Sequence, residues 1–505
     1  MNVRDLPVLR VVAALAVLVG ITALVPSAEP PAGPAADLPI ERALRVCPAL
    51  DPALPAMLSA LDAAPDPDPD PDPDSDPAAA SAAPIAPGDE TGTLSVSALG
   101  AAPGAAPVAT AADLARPLIV PSSGVDLLVA AAGPAAAGLA VSHLQAEARG
   151  AARALAGGGC VGAAVQAWYV GGGGAVGQRS TLLLVNTEIA PATVEVAAWT
   201  ETGPISPDRP TIVTVPARGR SEVALDGLAP GAARVAVSVR AVSGRITSYV
   251  FDRRVEGTSP RGADWIAAGD LARSLVVGPI PPAEGGARLL QVAAPGDRDA
   301  VVQIRVVTPD GVFAPAGSEV LEVPAGTVTE LDATAFADGR EVAITLDSDV
   351  PVAATARIVR PGSAGVTEEA FVSGTSPGAE AEPLAVAEVR SAPEMVSTLL
   401  ITAADTDFRG SLRLIPADPA LPASSTPVEV AAGTTATLPL TPPAPGSFSV
   451  VLEPAAGSGP AEAVRSMVWT LSDGPAITTQ RLDRVVTSVA APRTAQDLGA
   501  GLPGH

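Results

Sequence analysis

An internal repeat with a long period constrains this chain of 505 residues more than any other feature. Leu182 in "TLLLVN", Leu290 in "RLLQVA" and Leu400 in "TLLITA" open three similar segments, spaced 108 and then 110 residues apart. The runs "TVEVAAWTETG" and "VVQIRVVTPDG" end at Gly203 and Gly311, again 108 apart, and "GSLRLIPAD" takes the corresponding place in the third copy. Pro216, Pro324 and Ala431, in "VTVPARG", "LEVPAGT" and "VEVAAGT", keep the step at 108 and 107. Agreement at three landmarks means that one structural unit recurs.

Each copy continues with a run of period-two alternation, which puts one set of side chains on one face of a strand. The sets are Val235, Val237 and Val239; Val342, Ile344 and Leu346; and Phe448, Val450 and Leu452. "RITSYVFD", "PVAATARIV" and "VRSMVWTL" form the final run of each copy, and "GTSP" at Gly257 and Gly374 closes the first two. Short alternating strands, Pro/Gly turns and no convincing helix give a mainly β fold of serial antiparallel β-sandwich domains of immunoglobulin-like size. A β-propeller is the alternative, but its blades recur every ~40–50 residues, and no such half-period is visible. The expected repeats occupy 170–275, 276–385 and 386–490, followed by a disordered tail at 491–505.

The N-terminus points to export. Arg4 and Arg10 precede an apolar stretch, Val11 to Val25, followed by Pro26 and a Pro/Ala-rich linker. This reads as a signal segment or a membrane-anchoring helix, with Val11, Leu15, Leu18, Ile21 and Leu24 in its apolar run. Pro26 spoils a small-x-small cleavage site, which favours an uncleaved single-pass anchor with the N-terminus cytoplasmic and the C-terminal part outside; cleavage would make the protein secreted. Residues 1–37 comprise stub, anchor and linker, and 38–165 a cysteine-bearing first ectodomain. Cys47 and Cys160 are the only cysteines, and an even pair in an oxidising compartment is expected to form a disulfide.

Inside that first ectodomain, Ala64 to Pro77 alternates Asp and Pro. Proline lacks the N–H and the aspartates repel, so this is an extended spacer; its carboxylates diverge, which opposes a calcium site. Short β-like runs follow, "GTLSVSAL", "RPLIVPS" and "VDLLVAAA". One helix is predicted over Ser142 to Leu155, opened by a Ser-x-x-Gln pattern with Leu144, Ala148, Ala152 and Leu155 on one face.

Composition excludes whole classes of chemistry. A net charge of −23 argues against nucleic-acid binding. The sequence contains no lysine, which removes Schiff-base catalysis. Two histidines and two cysteines allow at most one four-ligand zinc site, and no metal or other cofactor is expected. With aromatics at 2%, the cores must be built of Ala and Val.

Individual motifs add little chemistry. "GTSPG" at Gly374 to Gly378 matches G-x-S-x-G formally, but Pro377 and "GAEAEPLA" continue as a linker where a nucleophile elbow needs a helix. The candidates for a base would be His143 and His505, and His143 reads better as a structural residue. "GGGG" at Gly171 to Gly174 lacks the lysine of a phosphate loop and reads as a flexible turn. Among 54 acidic residues some pair must lie close, so a cryptic glycosidase stays open. Trp168, Tyr169 and Trp265 are candidate glycan contacts, since an exposed Trp or Tyr offers a flat apolar face with a polar tip. Trp168 and Tyr169, beside a glycine run, are the pair expected to be exposed, whereas Trp199 and Trp469 sit in strand patterns that suit buried packing.

"RVCPAL", then "GGGCVGAAVQAWYVGGGGAVGQRSTLLLVN" and "ATVEVAAWTETGPI" with "VTVPARG", resemble the actinobacterial domain of unknown function family 5719. The resemblance covers nearly all the ectodomain and is most specific from Cys160 to Gly203. The chain departs from the family by its Asp-Pro insertion and by Thr187, where proline usually follows the asparagine matched by Asn186. The resemblance implies an N-terminally anchored envelope protein of serial β-rich segments and brings no catalytic residues. The expected function is a non-enzymatic cell-envelope scaffold or accessory in envelope or polysaccharide assembly, with the membrane and cell-wall glycan or envelope proteins as partners. A glycan-binding surface protein is the alternative.

Overall fold

The computed structural model describes residues 37–49, 55–63 and 92–490, apart from 103, 113, 151–152, 207–208, 338 and 364. The apolar run at 11–25, the Asp-Pro spacer at 64–77 and the tail at 491–505 lie outside the described residues. Asp37–Pro39 and Ser488–Ala490 form a two-stranded antiparallel ladder in a terminal unit of their own. Ile40–Thr487 form the other unit.

Seven strands with one pairing scheme recur along the chain. In the copy containing Leu182, Gln166–Val170, Val235–Ser243 and Ala192–Thr200 lie side by side in one sheet. Gly219–Ala224, Gln178–Asn186, Thr247–Glu256 and Ser259–Ile266 make the other. Numbered by chain position within the copy, the orders are 1-5-3 and 4-2-6-7. In the next copy a single strand, Val342–Pro361, serves as both fifth and sixth: its first half pairs with Ala272–Ile280 and Ala300–Thr308, its second with Ala287–Ala294 and Thr367–Thr375. The last copy repeats the scheme from Leu384–Ser391 to Gly474–Arg481. So does the cysteine-bearing segment, with Arg42–Cys47, Leu127–Ala132 and Thr93–Ala98 in one sheet. Leu118–Ser123, Pro55–Asp62, Leu139–Glu147 and Ala154–Gly159 form its second sheet. The pattern therefore occurs four times, although the sequence shows it three times.

The repeat landmarks occupy equivalent places in this scheme. Leu182, Leu290 and Leu400 all lie in second strands and face Val250, Ala356 and Val464 of the sixth. The alternating sets lie in fifth strands and are fully buried. Each copy has one apolar cluster drawn from both of its sheets, such as Leu182, Val194, Val237 and Val250 together. At ~1.5–3 kcal/mol per buried Val or Leu, these clusters are the main favourable term. The opposite face of the fifth strands is also covered: Ala236 packs with Ala293 and Ala353 of the following copy. Alanine on that face lets neighbouring copies approach closely.

Three expectations are corrected here. The predicted helix at 142–155 is instead two strands, Leu139–Glu147 and Ala154–Gly159, joined by a turn at Gly150. Leu139 to Gln145 are buried without a break, and covering both faces outweighs the modest helix preference of an Ala-rich run. "GTSP" does not mark equivalent positions: Gly257 is the turn before the seventh strand of its copy, whereas Gly374 lies inside a seventh strand. Gly171 to Gly174 is not a loose turn. A Cβ on Gly173 would stand 2.7 Å from the Ala232 carbonyl oxygen and one on Gly174 2.4 Å from that of Ala229, so the run is glycine because backbone crosses backbone there. Among the described residues no helix is long and apolar enough to cross a membrane.

Candidate functional site at the meeting of the four copies

The seventh strands converge. Ser259–Ile266 packs on Thr367–Thr375, which packs on Gly474–Arg481, which packs on Ala154–Gly159, which returns to Ser259–Ile266. Hydrogen bonds stitch each junction of this hub. Thr479 Oγ1 donates to the Phe371 carbonyl (2.7 Å) and Ser373 Oγ to that of Ala267 (2.6 Å). Asp264 Oδ1 accepts from the Gly157 N–H (3.3 Å) and from Thr478 Oγ1 (3.1 Å), which ties three copies at one carboxylate.

Charged side chains are buried beside these bonds. Arg153, at 1% exposure, pairs with Glu368, reaches Asp473 at 3.1 Å and donates to the Gly474 carbonyl at 2.8 Å. Arg465 donates to Gln480 Oε1 (2.8 Å), and Gln480 Nε2 to Ser142 Oγ (2.9 Å). Burial pushes the carboxyls of Asp264 and Glu368 well above their ordinary range and raises that of Glu388, while it lowers the Arg465 guanidinium to about 10. Desolvation outweighs the opposing charges in each case.

The disulfide closes one end of this hub. Cys47 and Cys160 are bonded, with Cα atoms 4.7 Å apart, which joins the end of a first strand to the residue after a seventh. His143 lies against it, with Nδ1 3.7 Å from Cys160 Sγ. Its ring stands edge-on to Trp265 at 5.3 Å and to Tyr249 at 6.4 Å. Burial, and secondarily Arg465, lowers the imidazole to about 3, so it is neutral at physiological pH.

These residues line a cavity of ≈ 170 Å³. Its floor includes the buried His143, Tyr169, Trp265 and Phe371, and its rim the exposed Val161, Ala267 and Ala268. Asp483 and Arg481 line it as well; desolvation raises the Asp483 carboxyl to about 7 against the pull of Arg45 and Arg481. Glycines make the space. A Cβ on Gly159 would meet Asp483 Oδ2 at 2.9 Å.

The candidate glycan contacts are not equivalent. Tyr169 and Trp265 are buried, at 3% and 5% exposure, against the expectation of an exposed Tyr169. The Tyr169 hydroxyl is held inward by the Ser248 carbonyl at 2.7 Å. Trp168 is half-exposed and stacks at 5.2 Å on Trp199, also half-exposed. Trp199 lines a separate open groove of ≈ 440 Å³ with Pro204, Pro210 and Pro295. Trp469 is half-buried against the core of the last copy. Asn186 of the family-like segment has a structural role: its Nδ2 donates to the Ala190 carbonyl (2.8 Å) and its Oδ1 accepts from the Glu188 N–H (2.9 Å).

Sequence reasoning missed Arg153, Asp264, Glu368, Arg465 and Asp483. The one trace of them was a charge inside a β-like run, as in "GADWIA". Neither Asp264 nor Glu368 lines the cavity. Among the described residues no three His, Cys, Asp or Glu converge as metal ligands.

The class this geometry defines is a mainly β protein of many antiparallel sheets. The chain belongs to the family of unknown function DUF5719, whose model matches residues 108–441. No curated protein matches it. Among solved structures it is similar to the Thermotoga maritima protein 1070 at 18% identity, over 21% of this chain and 94% of that one, with a TM-score of 0.18. It is also similar to a tetra-tandem repeat from the extending region of a large adhesion protein at 12% identity, over 78% of this chain and 92% of that one, with a TM-score of 0.10.

Proposed function

We propose that this is a non-enzymatic extracytoplasmic protein of the cell envelope, a scaffold or accessory in envelope or polysaccharide assembly. It is built as serial immunoglobulin-like sandwiches on an N-terminal hydrophobic anchor. The observation that carries the reading is the Cys47–Cys160 bond, because disulfides persist in oxidising compartments. The polar chemistry of the hub supports it, since these side chains are engaged in holding copies together. Cell fractionation with thiol labelling tests location: the expected outcome is an envelope fraction with both cysteines blocked, and cytoplasmic protein with free thiols would sink the idea. Deleting the gene should alter envelope glycan composition, surface properties or drug sensitivity, and no change in any of them would count against the assembly role.

A second reading is glycan recognition on the surface, favoured by the Trp168–Trp199 stack beside its proline-lined groove. Full-length protein on a glycan array should then bind saturably, and Trp199→Ala should abolish that binding. An array without any saturable signal removes this reading.

A further inference from the structure

We propose that the cavity beside the disulfide is a binding site for a small organic ammonium ion, held by the Asp483 carboxylate against an aromatic lining. It stands apart from the groove at Trp199 and does not depend on either reading above. The carboxylate is the observation that carries it. Asp483 lines the cavity, and its Oδ2 and Oδ1 lie 2.9 and 3.1 Å from where a Cβ on Gly159, another lining residue, would stand. Among the described residues no group donates a hydrogen bond to this carboxylate and none forms an ion pair with it; Arg45 and Arg481 act on it through charge at longer range. Its oxygens keep accessible surface, whereas the Nε2 of His143 and the Nε1 of Trp265 are sealed in the packing. A half-buried carboxylate without a partner is costly, because burial strips away the water that would solvate it.

Charge and size select the ligand. Arg481 is already engaged: its Nη1 pairs with Glu462 and its Nη2 donates to the Ser373 carbonyl at 2.6 Å. His143 is neutral, and the Tyr249 hydroxyl donates to the Val46 carbonyl and accepts from the Val161 N–H at 2.7 Å. Arg45, whose Nη1 donates to the Leu44 carbonyl at 3.4 Å, is the remaining opposing charge. A protonated amine supplies both the positive charge and the N–H that Asp483 lacks, which makes a charge-assisted hydrogen bond. Tyr169, Tyr249, Trp265 and Phe371 line the same space, and aromatic rings attract an ammonium group and pack against its carbon substituents. An engineered cavity of about 150 Å³ holds benzene, so ≈ 170 Å³ admits an ammonium ion of about that size. Ala267 and Ala268 at the rim are exposed, which gives it a way in. The net charge of −23 draws cations toward the protein and repels anions.

The test titrates the purified full chain with benzylammonium, and with benzyl alcohol and benzoate as the neutral and anionic counterparts of the same ring. Calorimetry and saturation-transfer NMR read the affinities. At about pH 8 benzylammonium should bind saturably and about tenfold or more tightly than either counterpart. Burial raises the Asp483 carboxyl to about 7, and only its ionised form attracts the ligand, which stays protonated throughout. Affinity should therefore be about tenfold weaker at pH 6 than at pH 8. Asp483→Asn should remove both this pH dependence and the preference over benzyl alcohol. Arg45→Gln takes away one opposing charge and should tighten binding about twofold to fivefold. Trp168→Ala should leave it unchanged, which separates this site from the groove. If Asp483→Asn does not fold, the pH profile of the wild type and the Arg45→Gln variant decide. Absence of benzylammonium binding at tens of millimolar, benzyl alcohol or benzoate bound as tightly, or an affinity indifferent to pH and to Asp483 each overturns the proposal.

Discussion

The apolar cores and the hub solve opposite problems in one molecule. Each core is made of small aliphatic side chains such as Leu182, Val194 and Val237, repeated from copy to copy with little change. The hub buries Arg153, Asp264, Glu368, Arg465 and Glu388, each at 1% exposure or less, and no two copies contribute the same set. Apolar burial is strong and undirected, so near-identical cores cannot say which sheet should meet which. Buried hydrogen-bonded charges are directional and costly when unmatched. The difference teaches that the cores supply stability, whereas the hub supplies the pairing of one copy with the next.

The largest effect is expected in a core. Phe448 fills the cluster of the last copy beside Phe408 and Leu452, and Phe448→Ala should destabilise by about 3–5 kcal/mol. Hydrogen exchange should report that loss mainly in the strands of the last copy. Equal loss across all four copies would break the distinction between core and hub.

A hub variant of similar size should behave differently. Arg153→Met leaves Glu368 buried without its cation and should cost about 3–5 kcal/mol, while the double variant Arg153→Met, Glu368→Leu should recover most of it. Urea unfolding measures both. If the single and the double variant are equally damaged, the pair contributes packing volume and not electrostatic matching.

Much of the core was legible in the sequence and almost none of the hub. Leu182, Leu290 and Leu400 announce second strands because the same local pattern recurs in each copy. The alternating sets of the fifth strands do the same. The seventh strands, "SPRGADWI", "TEEAFVSGT", "GPAITTQR" and "ALAGGG", share no motif and little alternation. Their character comes from the seventh strands of two other copies packed against each of them, which no local window contains. The first copy escaped notice for two reasons: the Asp-Pro spacer falls between its second and third strands, and its sixth strand imitates a helical stripe. The disulfide was legible because two cysteines leave only one intrachain pairing.

Acidity separates two hub groups of opposite sense. The Asp483 carboxyl rises from 3.8 to about 7 on folding. The folded state therefore holds more protons than the unfolded one in that interval, and this contribution to stability falls as pH rises through it. His143 drops from 6.5 to about 3. The folded state holds fewer protons there, and stability falls as pH is lowered. Between about pH 4 and 6.5 the two slopes oppose each other. Replacing His143 by Phe should leave the downward slope with rising pH, and Asp483→Asn should leave the acid sensitivity. Urea midpoints across this range for the wild type and both variants measure it; parallel curves would mean that neither group titrates as its burial implies.

The smallest effect sharpens the comparison from outside. Arg305 and Asp347 form an ion pair at 3.0 Å on adjacent strands, but they are 56% and 45% exposed. Water and salt screen such a pair, and fixing two mobile side chains offsets what attraction remains. Arg305→Ala should therefore cost no more than about 0.5–1 kcal/mol and less in high salt. Arg153 and Glu368 carry the same two kinds of charge and differ mainly in burial. If Arg305→Ala proves as damaging as Arg153→Met, burial is not what makes the hub pair matter, and its bonds to Asp473 and Gly474 would have to account for the difference between hub and surface.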